Sequence, residues 1–350
     1  MNEQLAEFLK RQWPDADNIT VENFEPIPGG YSRETFRFDA RVRRGNTEEI
    51  VPLILRRDPP AAVSILPTSR QTEHELIEAV RAHTSIPVSK SYGYELDRSH
   101  FGEAAMIIER MPGSGLTSAL FNGGADAAQA ESVCTHLCEL IAELHLADAE
   151  KLNVGGKLSD PRNVGVDISS WDRYMETTFE YYLQGYHWGD FEPLPVLMDA
   201  YLTLRRARPR PLRLSLVHGD FNPVNFLYGD GRVTALIDWE NARIGDPRED
   251  LGWMQAMDVL SNTNIMGSVT KEGGFLGYYN KLTGFNVTQE EVNYFCLFGT
   301  ANIAVPITNA LKRRFQKEHM ELTPFYIIQP SIVNVLNFAK MLGYPLPAGV

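Results

Sequence analysis

The chain has 350 residues, 43% hydrophobic and 22% charged, the proportions of a soluble globular protein long enough for two lobes rather than one core. A net charge of -12 and a pI near 5.2 oppose general attraction to nucleic acid or to an anionic membrane, so neither is expected as a partner. Three cysteines exclude a closed disulfide framework, and the opening MNEQLAEFLKRQW lacks a signal-peptide pattern, so a reducing cytoplasm is the expected compartment.

From the N-terminus, Leu5, Phe8 and Leu9 give a helical face that Trp13 and Pro14 close. The period then changes to two. Phe36, Phe38, Ala40 and Val42 alternate with polar residues, a turn falls between Arg44 and Thr47, and Ile50 to Leu55 runs back, which predicts twisted hairpin strands. Ahead of that alternation stand Gly29, Gly30, Tyr31 and Ser32, a turn whose paired glycines let backbone amides approach a phosphate or simply close a hairpin. The third strand ends in Arg56 and Arg57, and strand parity turns one of them inward, where it needs an anion. A helix with Leu76, Ile77 and Val80 follows, and its Glu73 is the expected partner of Arg56, while Glu75 reads as a surface carboxylate.

A short apolar strand, Ala104 to Glu109, runs into Arg110, Met111, Pro112 and Gly113, the best boundary signal in the chain. It divides the sequence into an expected lobe 1-111, sheet with one or two helices, and a mainly helical lobe 112-350. In the second part Val133, Leu137, Leu140, Ile141 and Leu144 form a central helical stripe, with His145 at its end as a structural histidine. Cys134 and Cys138, on the same helix, read as buried small hydrophobes. Helices are predicted from Trp171 to Leu183, capped by Ser169 or Ser170, and from about Pro195 to Arg206. Thr288 and Glu291 make a capping box for a buried helix through the uncharged run Val292 to Leu311, and Thr323-Pro324 opens a last helical region ending near Leu342.

The densest chemistry lies between Leu216 and Leu251. Asp220 follows the apolar run Leu214, Leu216, Val217, and Asp238 follows Val233, Leu236, Ile237; Gly229, Asp230 and Gly231 are expected to fold the two runs into one hairpin. Two carboxylates with the amide of Asn225 form an oxygen-rich set of the kind that holds Mg2+ against phosphate.

Order and spacing of His218-Gly219-Asp220, Asn225, Ile237-Asp238-Trp239-Glu240, Gly245-Asp246-Pro247 and Asp250-Leu251 resemble the aminoglycoside phosphotransferase family of protein-kinase-like small-molecule kinases. In particular the chain is similar to the branch of bacterial stand-alone phosphotransferases related to the domains fused to acyl-CoA dehydrogenases. Gly29-Gly30-Tyr31-Ser32, Leu55-Arg56-Arg57 and Ile108 to Gly113 agree more weakly, and the match covers about Phe24 to Met254. The resemblance implies an α+β, two-lobed protein-kinase-like fold with a small antiparallel-sheet N-lobe and a larger helical C-lobe. It implies ATP as phosphoryl donor, with GTP left open, and Mg2+ as its counter-ion. Asp220 would then orient and deprotonate an acceptor hydroxyl, while Asn225 and Asp238 would hold the metal.

Gly29, Gly30, Ser32 and Arg56 would hold the nucleotide phosphates, with Glu73 on the same side as the partner of Arg56, and Glu109, Arg110 and Met111 would read the base through backbone groups. Arg56 stands where kinases of this type usually have lysine, and Arg57 takes its place if the register slips by one. Glu240 has the parity to reach metal or acceptor, whereas His218 and Trp239 read as scaffold and Asp246 as a helix cap. The expected activity is phosphorylation of a hydroxyl on a small molecule. The alternatives are a silent nucleotide-binding pseudokinase and a kinase of a hydroxyacyl thioester, an amino sugar or a choline-like alcohol. The acceptor pocket is expected along the helices at 171-206 and 258-309, among Asp190, Glu192 and Asp258 and the aromatics Phe179, Tyr181, Tyr182, Tyr186, Trp188, Tyr278, Tyr279 and Phe295.

Overall fold

The computed structural model describes residues 1–27, 33–58, 69–122, 127–159, 166–188, 195–316, 339–340 and 342–345. Helix α1 (Asn2–Gln12) precedes strands β1 (Asn18–Pro26), β2 (Glu34–Arg44) and β3 (Thr47–Arg57). Pairing of Arg44 with Thr47 leaves Gly45 and Asn46 as the turn, and β1 carries a bulge between Glu22 and Glu25. Helix α2 (Arg70–His83), β4 (Ser91–Glu95) and β5 (Ala105–Glu109) complete an antiparallel sheet of order β1-β2-β3-β5-β4.

Alternation decides the two faces of that sheet. Phe38, Ala40, Leu53, Leu55 and Ile107 meet Leu5, Phe8 and Leu9 of α1 in one closed core. Residues of the opposite parity, Ile54, Met106 and Ile108, face Leu76, Ile77 and Val80 of α2. That second face is continuous with the core of helix α3 (Ala127–Leu146), whose Val133, Leu137, Ile141 and Leu144 are fully buried. Each such side chain contributes about 1.5–3 kcal/mol by leaving water, so α2 and α3 fasten the sheet onto what lies below it.

Helices α4 (Trp171–Trp188) and α5 (Pro195–Arg206) come next, then β6 (Ser215–Val217), β7 (Phe226–Gly229), β8 (Arg232–Leu236) and β9 (Arg243–Gly245). Ser170 Oγ accepts from Arg173 N at the start of α4. The expected hairpin differs here. Asp230 and Gly231, both at positive φ, join β7 to β8, whereas β6 pairs antiparallel with β9. The two-residue turn leaves room only for the strand immediately before it, Phe226–Gly229, and Leu216 meets Ile244 instead. Helices α6 (Arg248–Ser261), α7 (Gly274–Thr283) and α8 (Gln289–Gln316) follow. The capping box of α8 is present: Thr288 N donates to Glu291 Oε2 at 2.9 Å and Glu291 N to Thr288 Oγ1 at 3.3 Å.

Cys134 and Cys138 are buried and unpaired. Among the described residues no helix is long and apolar enough to cross a membrane. The helical region expected from Thr323 lies almost wholly outside the described residues.

Candidate active site

The turn after β6 is suspended from α6. Asp250, at 0% exposure, accepts from His218 N at 2.7 Å and Gly219 N at 2.9 Å, and its Oδ2 lies 3.1 Å from His145 Nε2. Tyr279 Oη holds the other side of that imidazole at 2.7 Å, so His145 is structural, as its place at a helix end suggests. Burial alone would raise the Asp250 carboxyl, but the His145 bond and the neighbouring histidines and amides outweigh it and hold the carboxyl below its usual range. Gly219 is at φ 77, and a Cβ there would lie 2.2 Å from Asn241 O, so no other residue passes this point. His218 Nε2 sits 3.0 Å from Ile237 O, tying the turn to the end of β8, and Trp239 is buried with its Nε1 on Leu236 O.

This suspension presents the half-buried carboxylate of Asp220. Its Oδ1 accepts from Trp253 Nε1 at 2.7 Å and Asn222 Nδ2 at 2.8 Å; its Oδ2 accepts from Asn225 Nδ2 at 2.8 Å. Burial, and then the charge of Asp238, raise the Asp220 carboxyl to about 6. Asn225 commits its amide nitrogen to Asp220, so the amide oxygen is the end with which it would hold a cation. Its backbone carbonyl receives Ile237 N at 3.0 Å, which fixes it beside the Asp238 loop. Asp238 is at φ 67, ψ 60, a left-handed conformation uncommon outside glycine and asparagine that collects at functional sites.

Opposite this turn Arg56, not Arg57, points inward. Its Nη1 donates to Glu73 Oε1 at 2.5 Å and its Nη2 reaches Asp238 and, at 3.5 Å, Glu240. Burial opposes its charge, but Asp238, Glu73 and Glu240 carry its pKa above the usual arginine value. Arg57 bonds Glu34 Oε2 at 2.7 Å on the far face, and Glu75 accepts Lys157 at the surface. Arg33 joins Asp58 and Glu240, and Arg70 joins Asp58, Glu73 and Glu240.

Three arginines thus face the four carboxylates Asp58, Glu73, Asp238 and Glu240. One negative charge is left over, which suits an added cation. Among the described residues no group of three or more His, Cys, Asp or Glu forms a metal cage. Asp238 and the amide oxygen of Asn225 are the oxygen donors that could hold Mg2+, with phosphates and water in its other positions.

Glu240 faces the same Arg56 as Asp238, as strand parity expected, and is drawn further into this arginine cluster, with a side chain 7% exposed. Gly29, Gly30 and Ser32 lie outside the described residues.

Between the sheet and the β7–β8 ribbon runs a cleft of about 400 Å3, with Ile54, Ile77 and Ile108 above, Leu227 and Leu236 below, and Glu109, Arg110 and Met111 at its back. Arg56 and Asp238 stand at its mouth. Arg110 N is engaged by Pro52 O at 3.1 Å and its guanidinium by Asp39 at 2.6 Å, while Glu109 Oε2 receives Lys90 N at 3.2 Å. Those two side chains therefore belong to the frame, while Glu109, Arg110 and Met111 all border the cleft.

A second cavity opens beyond Asp220, lined by Tyr182, Asn241, Arg243, Trp253, Asn302 and Ile303 among others. Here the expected lining needs correction. Phe179 and Phe295 are fully buried where α4 and α8 meet; Tyr279 holds His145; Tyr278 bonds Glu139 at 2.8 Å; Asp258 caps the turn at Ile265 and Met266. Of the expected aromatics Tyr182 borders the cavity. Asp190 and Glu192, and the side chains of Tyr186 and Trp188, lie outside the described residues. An aromatic stripe at helical spacing here marked the seam between two helices.

Trp253, Asn222, Arg33 and Arg70 were not singled out from sequence. Trp253 lies three residues past Asp250 on α6, one turn along the face that carries the suspended loop, and that spacing was the available signal.

A sequence model of the Phosphotransferase enzyme family matches residues 23–267. Acyl-CoA dehydrogenase family member 11 of Pongo abelii is 24% identical over 317 residues, 83% of this chain; the chain spans 38% of that relative's length. Among solved structures, a Ralstonia eutropha protein provisionally named an aminoglycoside phosphotransferase aligns with a TM-score of 0.66 at 20% identity, over 97% of this chain and 98% of that one. A thermostable mutant of the aminoglycoside phosphotransferase APH(4)-Ia, in ternary complex with ADP and hygromycin B, aligns with a TM-score of 0.58 at 17% identity, over 95% and 98%. At such identities the structural likeness is one of fold.

Proposed function

The chain belongs to the phosphotransferase enzyme family, and from that premise we propose that it is a small-molecule phosphotransferase that moves the terminal phosphoryl group of ATP, held with Mg2+, to a hydroxyl of its acceptor. The observation that carries this reading is the placement of Asp220. Its carboxylate is fixed by three side-chain donors, and Asn225 and the Arg56–Asp238 pair stand beside it at the mouth of an apolar cleft. ADP bound in the fold neighbour supports a nucleotide in that cleft.

Phosphoryl transfer asks the protein mainly for alignment and for positive charge where negative charge develops. The isoleucines and leucines of the cleft would flank the base, and the Met111 peptide would meet its edge. Arg56, already fixed by Glu73, would present its guanidinium to the phosphates. Asn225 and Asp238 would hold Mg2+, which supplies charge neutralisation at the phosphate oxygens. Asp220, with a carboxyl near 6, is ionised at neutral pH. It takes the proton of the acceptor hydroxyl as the new oxygen–phosphorus bond forms and the bond to the departing diphosphate breaks. Trp253 and Asn222 hold its Oδ1, which fixes the direction from which that proton is received.

One observation favours a second reading, a nucleotide-binding protein without turnover: Arg56 lies on the carboxylate that would hold the metal. MgATP binding and ADP release on the native chain and on Asp220→Asn separate the two. The enzyme reading expects Asp220→Asn to bind MgATP within about threefold of the native affinity while ADP release falls about 10^2- to 10^4-fold. Equal ADP release from both proteins would remove Asp220 as the base.

A further inference from the structure

The cavity beyond Asp220 continues along one face of α8, where Gly299, Asn302 and Ile303 follow at helical spacing. Asn302 is 6% exposed, and its amide oxygen has no hydrogen-bond partner. An amide oxygen left open in a buried position is destabilising, and a polar group brought to that amide would remove the cost. An amide offers a donor and an acceptor side by side, which matches a hydroxyl or another neutral polar group.

The charges around the cavity are already committed. Glu249 accepts from Arg243, from Tyr174 Oη and from Asp246 N; Asp250 holds His218 N, Gly219 N and His145; Glu240 sits among Arg33, Arg56 and Arg70. Arg243 is in turn balanced by Glu249. Of the cavity's carboxylates among the described residues, Asp220 is the one whose hydrogen bonds come from neutral side chains. A polycation needs several carboxylates to replace its hydration and, among the described residues, finds one. The space, about 80 Å3, holds roughly half a dozen waters, so it suits a compact group.

We infer that the acceptor is a compact, uncharged hydroxy compound, and that Asn302 binds a second polar group beside the hydroxyl that Asp220 deprotonates. This rests on the phosphotransferase reading above and narrows it. Asn302 is then a specificity-determining residue, and among the described residues the one carboxylate left to answer a charge on the acceptor is Asp220, which this reading already engages with the hydroxyl.

The test uses the full chain with MgATP and a panel of neutral sugars and polyols, each beside its charged analogue, as glucose beside glucosamine and gluconate, with choline and kanamycin added. Acceptor binding to the protein loaded with a non-hydrolysable ATP analogue is followed by saturation-transfer NMR, and turnover by ADP release. A neutral compound is expected to bind and turn over at least about tenfold better in kcat/KM than its charged analogues. Asn302→Leu should weaken that binding about tenfold with MgATP affinity unchanged and with thermal stability equal or higher, because the open amide is gone. Asn302→Asp, which keeps the shape and adds a charge, should move preference toward the cationic analogue.

Preference of the native chain for kanamycin, choline or glucosamine overturns the inference. So does an acceptor KM that Asn302→Leu leaves in place, and so does failure of every neutral probe to bind. Failure of the native chain to bind MgATP overturns the phosphotransferase reading itself, and the inference with it.

Discussion

Two of the arginine and carboxylate clusters among the described residues are built differently. In the lower one Asp246, Arg248 and Asp250 are fully buried, and their partners include backbone amides of the turns they hold: Asp250 with His218 N and Gly219 N, Asp246 with Arg248 N. In the upper one Arg33, Arg56, Arg70, Asp58, Glu73, Asp238 and Glu240 arrive from separate elements on both sides of the cleft. Among the described residues the contacts that join them run between side chains, and Asp238 keeps 27% of its side chain in solvent. Charges bonded to backbone fix the chain's path. Charges that meet only through side chains can exchange partners when a ligand arrives. Similar residue types thus serve as framework below and as a reception site above.

The largest expected effect breaks the framework. Asp250→Ala leaves two amides and a histidine unpaired in a buried place and should lower stability by about 3–5 kcal/mol in urea unfolding; a loss below about 1 kcal/mol would erase the distinction between the clusters.

Next in size is an opposition in pH dependence. The Asp250 carboxyl is held low, so its contribution is present above the unfolded value near pH 4 and is lost as pH falls through its folded value. The Asp220 carboxyl is raised to about 6, so the folded state keeps a proton that the unfolded chain has released. Stability therefore falls as pH rises from about 4 to about 6, by up to about 3 kcal/mol. Asp220→Asn should flatten that slope in denaturation curves taken across the window; an unchanged slope assigns it to other groups.

Asp238→Asn sharpens the upper half of the comparison, since asparagine tolerates the left-handed backbone and loses only the charge. Calorimetry should show at least about a tenfold loss in the Mg2+-dependent part of ATP affinity, with stability changed by about 1 kcal/mol or less; ATP affinity equally responsive to Mg2+ in both proteins would take Asp238 out of the metal site. The smallest expected effect is that of Arg56→Lys. A single ammonium cannot bridge Glu73 and Asp238 with two separate nitrogens, so the KM for MgATP should rise about threefold to fivefold. No change in that constant would mean that the guanidinium is interchangeable with the more usual lysine.

Much of this arrangement was legible in the sequence where local rules decide. Alternation at Phe36 to Val42 and Ile50 to Leu55 gave β2 and β3, and Thr288 with Glu291 gave the start of α8. Strand parity left Arg56 and Arg57 as rivals, and the pairing of Arg56 with Glu73 shows which one turns inward. What escaped depends on distant pairing. Nothing near Leu216 announces that its partner is Ile244 and not the strand after the Gly229 turn. Arg33, Asp58 and Arg70 look in sequence like ordinary surface charge, and only the closing of β2, β3 and α2 around Glu240 makes them a cluster. The aromatics of α4 and α8 carry the same pattern whether they line a pocket or a seam, and packing chose the seam.

The crossing behind the cleft has a mechanical consequence. On one side Arg110 is fastened to the sheet through Pro52 O and Asp39. On the other, Ser114 exchanges both backbone hydrogen bonds with Tyr228, at 2.8 and 3.0 Å, and Thr234 Oγ1 grips Pro112 O at 2.5 Å. Between these two rivets lies Met111. The chain's own crossing from the sheet to the β7–β8 ribbon is thereby reduced to the torsions of about one residue, so that the connection beside the cleft acts as a short tether and not as a slack loop.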